Sequence, residues 1–340
     1  MTIGDIMIFV KTCAFLRLGK NMNLNTINYY IATVEEMNIT HAAQRLFISQ
    51  QALSNHIARL EEELGVKLFN RSPVLSLTYA GKRFYEYALQ MSNIERQIHQ
   101  MVDDVNENQA GEIRVGISHT CGRAILPSIL PKFKSEHPLV DVQLVEENSA
   151  EMENALRRGS LDLMIDFLPI SIDGAVYSEL TKERLFLVVS KSLLRETFGK
   201  DAQKTIKEFR KNLDMKAFKD FPFILLKKGN RVRAMLDEYM EGIKFSPNII
   251  LETENTETAF ALASKGMGIT VYPELFMWAM PEKNVKEAEV EFFPIRDKQT
   301  TGTLVIANMV ERYLPTAASR FIETCKEGID DIKTRAGVSA

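Results

Sequence analysis

The stretch from Asn38 to Asn70, NITHAAQRLFISQQALSNHIARLEEELGVKLFN, decides the architecture of the N-terminal part of the chain. It predicts a first helix from about Thr40 to Leu46, a tight connection, and a second helix that begins after Ser49 and ends at Gly65. A serine hydroxyl can accept a free backbone N–H of the first helical turn, and glycine is common where a helix stops. The apolar positions of the second helix recur every three or four residues, at Leu53, Ile57, Leu60 and Leu64. This spacing predicts a helix-turn-helix.

The opposite face of the second helix is polar, with two amides and a hydroxyl near its N-terminal end. An amide side chain can donate and accept together, as the major-groove edge of adenine requires, so this face favours base recognition. An ordinary helical bundle with a solvated face has the same periodicity, and the pattern alone leaves both interpretations open. The candidate DNA contacts are Thr40, Ser49, Gln50, Gln51, Ser54, Asn55, Arg59 and Arg71, and the candidate phosphate contacts are Arg45, Arg59, Lys67 and Arg71.

The segment MNLNTINYYIATVEEMNITHAAQRLFISQQALSNHIARLEEELGVKLFNRS resembles the N-terminal domain of LysR-type transcriptional regulators. The matching positions are Ala42-Ala43, Leu46, Ile48-Ser49-Gln50, Ala52-Leu53-Ser54, Ile57, Leu60-Glu61, Leu64-Gly65, Leu68-Phe69 and Arg71, followed by Thr78, Ala80 and Gly81. The resemblance implies a winged helix-turn-helix over residues 22–80. Two positions depart from the family: Gln51 stands where proline is frequent, and Ser72–Leu77 carries no charge where the wing is often basic.

Composition sets further limits on partners and compartment. The chain has 340 residues, which suggests about two domains, and its net charge is -3. From Met22 to Arg83 six Lys/Arg face five Asp/Glu, a net of only +1, so DNA affinity must come from local placement and from dimerisation. Cys13, Cys121 and Cys325 lie far apart, which favours a reducing, cytoplasmic compartment and argues against a disulfide framework or a zinc site.

Residues 1–21 are fairly apolar but are interrupted by Lys11 and Arg17, and Asp5 stands where a signal peptide would be basic. They make a poor signal peptide and a poor membrane span. Because the family resemblance begins at Met22, we expect that Met22 is the natural start and that residues 1–21 are an upstream extension outside the fold. A short extra helix is the alternative.

A long helix is predicted from about Tyr79 to Asn108. Its apolar residues alternate in steps of three and four over three heptads, and the remaining positions are polar, which favours a seam with a partner helix over packing on the chain's own core. The resembled family dimerises through this linker helix, assigned here to residues 81–111 including a polar hinge. The seam residues are Phe84, Tyr87, Met91, Ile94, Ile98, Met101 and Val105.

From residue 112 onward, short apolar strands alternate with helices, the pattern of an α/β domain. Two further segments, ILPSILPKFKSEHPLVDVQLVEENSAEMENALRRGSLDLMI and NTETAFALASKGMGITVYPE, resemble the LysR-type effector domain. The overall prediction is therefore α/β, with a two-lobed, periplasmic-binding-protein-like domain over residues 112–335. Lobe I is expected at about 112–168 plus the C-terminal helix, lobe II at about 170–300, and the lysine-rich stretch Leu193–Asp220 as a surface helical insertion.

A ligand site in such a fold lies where strand ends open into a cleft. The first predicted strand ends in Ser118, His119 and Thr120, at the position that the resembled family uses for effector contact. Arg231 follows a strand and can clamp an acid. A serine or asparagine there can equally be only a helix cap, and an arginine only a surface charge. The candidate effector contacts are Ser118, His119, Thr120, Phe167, Asn230, Arg231, Asn255 and Thr256.

These observations predict a bacterial, ligand-responsive DNA-binding transcription regulator, with no enzymatic motif, no cofactor and no metal site. The effector is expected to be a small anionic metabolite, and the DNA partner an interrupted inverted repeat bound by a homodimer or homotetramer. Two alternatives stay open: a constitutive regulator whose C-terminal domain only oligomerises, and an enzyme or solute binder with a helical N-terminal domain. A solute binder needs neither a helix-turn-helix nor a dimer helix, which disfavours the last.

Overall fold

The computed structural model describes residues 22–105, 110–280 and 289–335. The predictions for residues 1–21 and for the hinge at 106–109 lie outside the described residues. The chain divides into two compact units: the first ends at Val102 and also includes Arg158–Ser160, and the second comprises Asp103–Arg157 and the residues from Leu161 onward. Among the described residues, none of the helices has the length and apolar character needed to span a membrane.

The first unit is a winged helix-turn-helix followed by a long helix. Its elements are α1 (Leu24–Glu36), α2 (Ile39–Arg45), α3 (Gln50–Leu64), β1 (Phe69–Asn70), β2 (Ser76–Leu77) and α4 (Tyr79–Val105). The strands β1 and β2 pair in antiparallel fashion and form a short wing. The apolar face predicted for the second helix is buried in a core built around Tyr30, Leu53, Ile57 and Leu60. The helix-turn-helix prediction is therefore confirmed.

Local sequence signals explain where these helices begin and end. The side chain of Asn38 accepts hydrogen bonds from the Thr40 and His41 amides, and Ser49 accepts one from the Ala52 amide, so each helix of the motif is capped. Gly65 ends α3 with a φ of 68°, in the left-handed region that favours glycine. Together these caps fix the angle at which α3 leaves the motif.

The long helix α4 carries a stripe of exposed apolar residues. Tyr87, Met91, Ile94, Ile98, Met101 and Val105 are each exposed by between 37% and 77%. Phe84, the first residue of the predicted seam, behaves differently, because its ring packs edge-on against Tyr30 with centroids 5.0 Å apart. Phe84 belongs to the core of the helix-turn-helix, and the unpartnered stripe begins at Tyr87.

The second unit is an α/β domain with two lobes. Its elements are β3 (Gly111–Ile117), α5 (His119–Glu136), β4 (Val140–Glu146), α6 (Ser149–Arg158), β5 (Leu163–Phe167), β6 (Ala175–Ser190), α7 (Lys191–Phe198), α8 (Ala202–Lys211), β7 (Pro222–Leu226), α9 (Arg231–Gly242), β8 (Asn248–Thr253), α10 (Thr256–Ser264), β9 (Thr270–Pro273), α11 (Glu274–Ala279), β10 (Val290–Pro294), β11 (Thr301–Met309) and α12 (Thr316–Arg335). Short 3-10 turns lie at Gly199–Asp201, Met215–Phe218 and Lys298–Thr300.

The long strand β6 joins the two lobes. Its first part, Ala175–Arg184, pairs with β11 in the first sheet, where β5, β3 and β4 follow in that order. Its second part, Leu185–Ser190, pairs with β10 on one side and β9 on the other. A bridge between Phe223 and Ile269 adds the β7–β8 pair to this second sheet. Both β6 and β11 thus belong to the crossover between the lobes.

Several predicted boundaries in the second unit need correction. The second lobe begins near Leu185 and not near residue 170, and Phe167 ends a strand of the first sheet, before the crossover. Helix α5 begins at His119 because Ser118 caps it. Asn148 accepts the Glu151 amide, and Ser149 is the first residue of α6.

The stretch Leu193–Asp220 is also more than a surface insertion. Phe209, Met215 and Phe218 from this stretch are buried in the core of the second lobe, where Phe209 and Phe293 pack edge-on at 5.7 Å. The lysines lie on the exposed side of this stretch and dominate its composition. The buried apolar residues are widely spaced in the sequence, so the pattern does not reveal that they share one face. The stretch therefore completes the core of lobe II.

Candidate DNA-binding surface and ligand cleft

The polar face of α3 is open to solvent in the first unit. Gln50, Gln51 and Asn55 are exposed, Ser54 is half-buried, and the neighbouring Leu53 is fully buried and holds the helix on its core. Amide side chains at the N-terminal end of such a helix are the groups that reach base edges in the major groove. Ser49 serves as the cap, and Thr40 is exposed at the start of α2.

The basic residues around this helix are mostly paired with carboxylates. Arg45 contacts both Glu35 and Glu36, at 2.7 and 3.3 Å. Lys67 donates to Glu61 at 2.9 Å, and Arg71 lies 3.7 Å from the same carboxylate. Among the contacts of the described residues, none is an ion pair of Arg59. Of the predicted phosphate contacts, Arg59 is thus the one that would not have to break an ion pair with a described residue in order to contact a phosphate.

Glu61 fixes the wing to the recognition helix, a role that the sequence did not suggest. It is 2% exposed and accepts hydrogen bonds from the Leu68 amide at 2.9 Å and the Phe69 amide at 3.2 Å. Burial raises the pKa of Glu61, but the bonds from Lys67 and the two amides outweigh it, and the pKa lies below its ordinary value. The feature of the sequence that could have indicated this role is an acidic residue directly after the buried Leu60.

The parallel strands β4, β3 and β5 end at one edge of the first sheet and face the start of helices from the second lobe. An inner cavity of about 70 Å³ lies there, lined by Ser118, Thr120, Asn148, Ser149, Asp166, Phe167, Gly229, Asn230, Arg231, Val232, Thr256 and Phe276. A wider cavity of about 640 Å³ shares several of these residues and adds His119, Glu146, Glu147, Ala150, Lys227, Lys228 and Glu254. Both lobes therefore contribute to one cleft.

The structure gives the predicted effector residues different surroundings. Thr120 and Thr256, on opposite lobes, bring their hydroxyl oxygens within 3.5 Å of each other. His119 lines only the wider cavity, is largely exposed, and has Nδ1 3.3 Å from a Glu146 oxygen. Asn255 is not among the residues that line either of these two cavities; its side chain caps α10 by accepting the Glu257 and Thr258 amides.

The helix starts that reach the cavity are capped by the predicted residues themselves. Ser118 accepts the Cys121 amide at 3.4 Å, and Asn230 accepts the Val232 amide at 2.9 Å. These oxygens are therefore committed to their own helices, as the alternative interpretation of each residue anticipated. Thr120, Phe167, Arg231 and Thr256 remain as cavity walls that cap nothing.

Arg231 does not stand as a free cation. Its Nη2 atom lies 3.5 Å from a Glu153 oxygen and 3.8 Å from a buried Asp166 oxygen, both in the first lobe. Burial raises the pKa of Asp166, while the Ser149 hydroxyl, the Phe167 amide and Arg231 lower it, and the net direction is upward.

Sequence reasoning missed Asn148, Ser149 and Asp166 as cavity residues. They follow or end the second and third parallel strands, so the argument that selected Ser118 from the first strand would have found them. An acid inside the apolar run of β5 was the strongest of these signals, since a buried carboxylate is rare without a purpose.

The fold joins a helix-turn-helix to a two-lobed α/β domain, the arrangement of a DNA-binding regulator with a ligand-binding module. Residues 24–82 match the model of the bacterial regulatory helix-turn-helix protein, lysR family, and residues 106–330 match the LysR substrate binding domain. The chain belongs to the LysR family of transcription regulators, a non-enzymatic family, and is a DNA-binding regulator with an effector-binding domain.

Individual relatives and solved structures agree with this assignment. The chain is similar to two uncharacterized regulators of Bacillus subtilis. It is 29% identical to YcgK, over 91% of this chain and 95% of YcgK, and 30% identical to YwbI, over 92% of this chain and 98% of YwbI. Its fold resembles full-length CbnR complexed with its target DNA, with a TM-score of 0.64, 22% identity, and coverage of 90% of this chain and 100% of CbnR. Its fold also resembles a full-length OxyR variant from Pseudomonas aeruginosa, with a TM-score of 0.66, 22% identity, and coverage of 91% of this chain and 94% of that chain.

Proposed function

We propose that this regulator acts in the bacterial cytoplasm as a homodimer on an interrupted inverted-repeat operator, and that a small-molecule effector in the cleft changes its DNA binding or its activation of transcription. The observation that carries this proposal is the cavity whose walls come from both lobes. A ligand that touches both lobes can favour one lobe arrangement over another, whereas a ligand with equal affinity for both shifts nothing.

The surroundings of the cavity support an effector with an acidic group. The hydroxyls of Thr120 and Thr256 point to the same space, and helices α5, α9 and α10 begin there with their positive dipole ends. A coupling of about 1–3 kcal/mol between effector and DNA would be ordinary for such a switch.

The effector proposal is tested by measuring operator binding by fluorescence anisotropy, with and without small carboxylates and amino acids, on the full chain. For any compound that shifts the affinity, we expect Thr120→Val to weaken the response about tenfold and to leave effector-free DNA binding unchanged, as loss of a buried hydrogen-bonding group does. Thr334→Val, a change on the exposed side of α12, is the matched control. A chain that ignores every compound would favour the constitutive alternative.

The dimer proposal rests on the apolar stripe of α4. We infer a seam from Tyr87 to Val105, because six exposed apolar residues at heptad spacing on one helix need a partner surface. Ile94→Lys should separate the protomers and abolish specific operator binding, since two half-sites need two recognition helices. Gln90→Lys, which adds the same charge at an exposed position of α4, should leave both intact. Sedimentation that shows an intact, operator-bound Ile94→Lys dimer would place the seam elsewhere.

Pairing of dimers into a tetramer through the effector domains is a further proposal that the same sedimentation data test.

A further inference from the structure

The inner cavity contains opposite charges supplied by different lobes. Asp166 lies at the end of β5 in the first lobe, and Arg231 begins α9 in the second. Asp166 is only 3% exposed, and the 3.8 Å between its Oδ2 atom and Arg231 Nη2 is longer than a hydrogen bond. The two groups therefore face each other across the cleft without closing into a tight ion pair.

Each of these side chains has one polar atom that its surroundings leave unsatisfied. Asp166 Oδ1 accepts the Phe167 amide at 2.8 Å and the Ser149 hydroxyl lies beside the carboxyl, but within the described parts of the chain Oδ2 has no hydrogen bond of ordinary geometry, and Arg231 Nε donates none. Buried polar atoms without partners are costly, and native structures rarely keep them without a reason. Here one missing donor and one missing acceptor border the same small space.

The balance of charge selects among ligands. Two carboxylates, Asp166 and Glu153, approach the single guanidinium of Arg231, so the charged side chains around Arg231 sum to a net negative charge when both acids are ionised. A ligand that carries only negative charge would meet this excess, offset only by the positive ends of the helix dipoles. A ligand that also brings a positive group satisfies Asp166 and leaves Arg231 for its own acid.

The dimensions suit a small headgroup with a variable remainder. The inner cavity of about 70 Å³ has room for only a few non-hydrogen atoms, and the wider cavity of about 640 Å³ opens from it. The walls of the wider cavity carry charges of both signs, and two of them, Lys227 and Glu254, pair at 2.9 Å.

We propose that the effector is a zwitterion of the amino-acid type, whose ammonium group binds Asp166 Oδ2 and whose carboxylate binds Arg231 Nε beside the Thr120 and Thr256 hydroxyls. The remainder of the molecule lies in the wider cavity. This inference rests on the proposed function, which requires only some small-molecule effector. Because the two charged partners belong to different lobes, such a ligand holds the lobes together through its own headgroup.

The experiment is calorimetric titration of the full-length protein with the L-amino acids and, for each, the 2-hydroxy acid that keeps the carboxylate and lacks the ammonium group. We expect at least one amino acid to bind and its 2-hydroxy acid to bind at least tenfold more weakly, since a neutral hydroxyl then replaces the cation beside the Asp166 carboxylate and charge-assisted hydrogen bonds are the stronger ones. This comparison needs no variant, so it holds even where a substitution affects folding.

Two variants sharpen the result. Asp166→Asn, which keeps shape and removes charge, should weaken the amino acid at least tenfold, whereas Glu147→Gln, which removes one charge from the outer wall, should change its affinity less than twofold. A 2-hydroxy acid that binds as tightly as its amino acid, or an Asp166→Asn protein of unchanged affinity, overturns the inference. Binding of simple mono- or dicarboxylates with a change in operator affinity also overturns it and leaves the proposed function standing; no binding and no DNA response with either set overturns both.

Discussion

The two units treat their buried glutamates in opposite ways. In the DNA-binding unit, Glu61 is 2% exposed and receives two backbone amides and Lys67. In the effector domain, Glu183 on the crossover strand β6 is 3% exposed, and within the described residues it accepts a hydrogen bond from the Leu275 amide at 2.7 Å. The pKa of Glu61 is lowered, whereas burial and the nearby Glu274 raise the pKa of Glu183 to about 8.

The difference contrasts a DNA-binding unit whose buried carboxylate has three hydrogen-bond donors with an effector domain whose crossover strand carries a carboxylate that burial destabilises. A carboxylate satisfied by three donors locks the wing to α3 and favours one geometry. Burial destabilises the charged form of Glu183, which lies where β6 passes between the lobes. The crossover is therefore less stable than it would be with a neutral side chain at this position. Low local stability is a common property of segments that move in allosteric proteins.

The largest effect is expected for Glu183→Gln. Because the folded pKa of Glu183 is raised, the folded state binds the proton more tightly, and stability is lost as pH rises from about 4.5 to about 8. The loss is on the order of a few kcal/mol, since one pKa unit corresponds to about 1.4 kcal/mol. The Glu183→Gln variant lacks this loss. In urea unfolding, its free energy of unfolding relative to that of the wild type should therefore increase with rising pH.

The matched control is Glu179→Gln, an exposed acid on the same strand, which should follow the wild-type pH profile. If Glu183→Gln and the wild type lose stability in parallel between pH 5 and pH 9, then Glu183 ionises without penalty and the contrast with Glu61 disappears.

The next effect, of opposite sign, is expected for Glu61→Gln. The folded pKa of Glu61 is lowered, so its contribution is present at neutral pH and is lost as pH falls through that folded pKa. Losing the charged acceptor of two amides and Lys67 should reduce stability by about 1–3 kcal/mol at pH 7. The neighbouring Glu62→Gln, on the exposed face of α3, should change stability little. Equal unfolding midpoints for the two variants would mean that Glu61 does not fix the wing.

The same contrast explains what the sequence could predict. The DNA-binding unit is built from neighbours in sequence, so the Ser49 cap, the Gly65 stop and the apolar period of α3 predicted both its fold and its exposed polar face. Even there, the pairing of Lys67 with Glu61 depends on how the wing folds back, and periodicity carries no information about it.

The cleft is assembled from strand ends and helix starts that are far apart in sequence. Its first strand end, Ser118–Thr120, was predicted because parallel strands place their carboxyl ends together. Arg231, a predicted effector contact, lines the inner cavity, but its partners Asp166 and Glu153 come from the other lobe, so its ion pairs could not be foreseen. Strand β6 runs through both sheets, but in the sequence the apolar run Leu185–Val189 marks only its second part.

A smaller effect is expected for base recognition by α3. Asn55 is exposed in the N-terminal part of α3, the helix predicted to enter the groove, and Asn55→Ala should cost about 1–3 kcal/mol of specific operator binding while leaving non-specific binding nearly intact. Electrophoretic mobility shifts with operator and scrambled DNA measure both. Stability should not change, because the side chain contributes nothing to the core. Equal losses on the two DNAs would make Asn55 a phosphate or structural contact.

The smallest effect concerns salt. Each phosphate neutralised by a protein cation contributes about 0.9 to the slope of log affinity against log salt concentration. Arg59→Gln should therefore lower the slope by about 0.9 per protomer, whereas Lys67→Gln should lower it less, because Glu61 already holds the Lys67 ammonium at 2.9 Å. Anisotropy titrations of both variants between low and moderate salt give the two slopes. An equal decrease for both would show that DNA displaces Glu61 from Lys67, and that the rigid pairing seen in this unit yields when the operator binds.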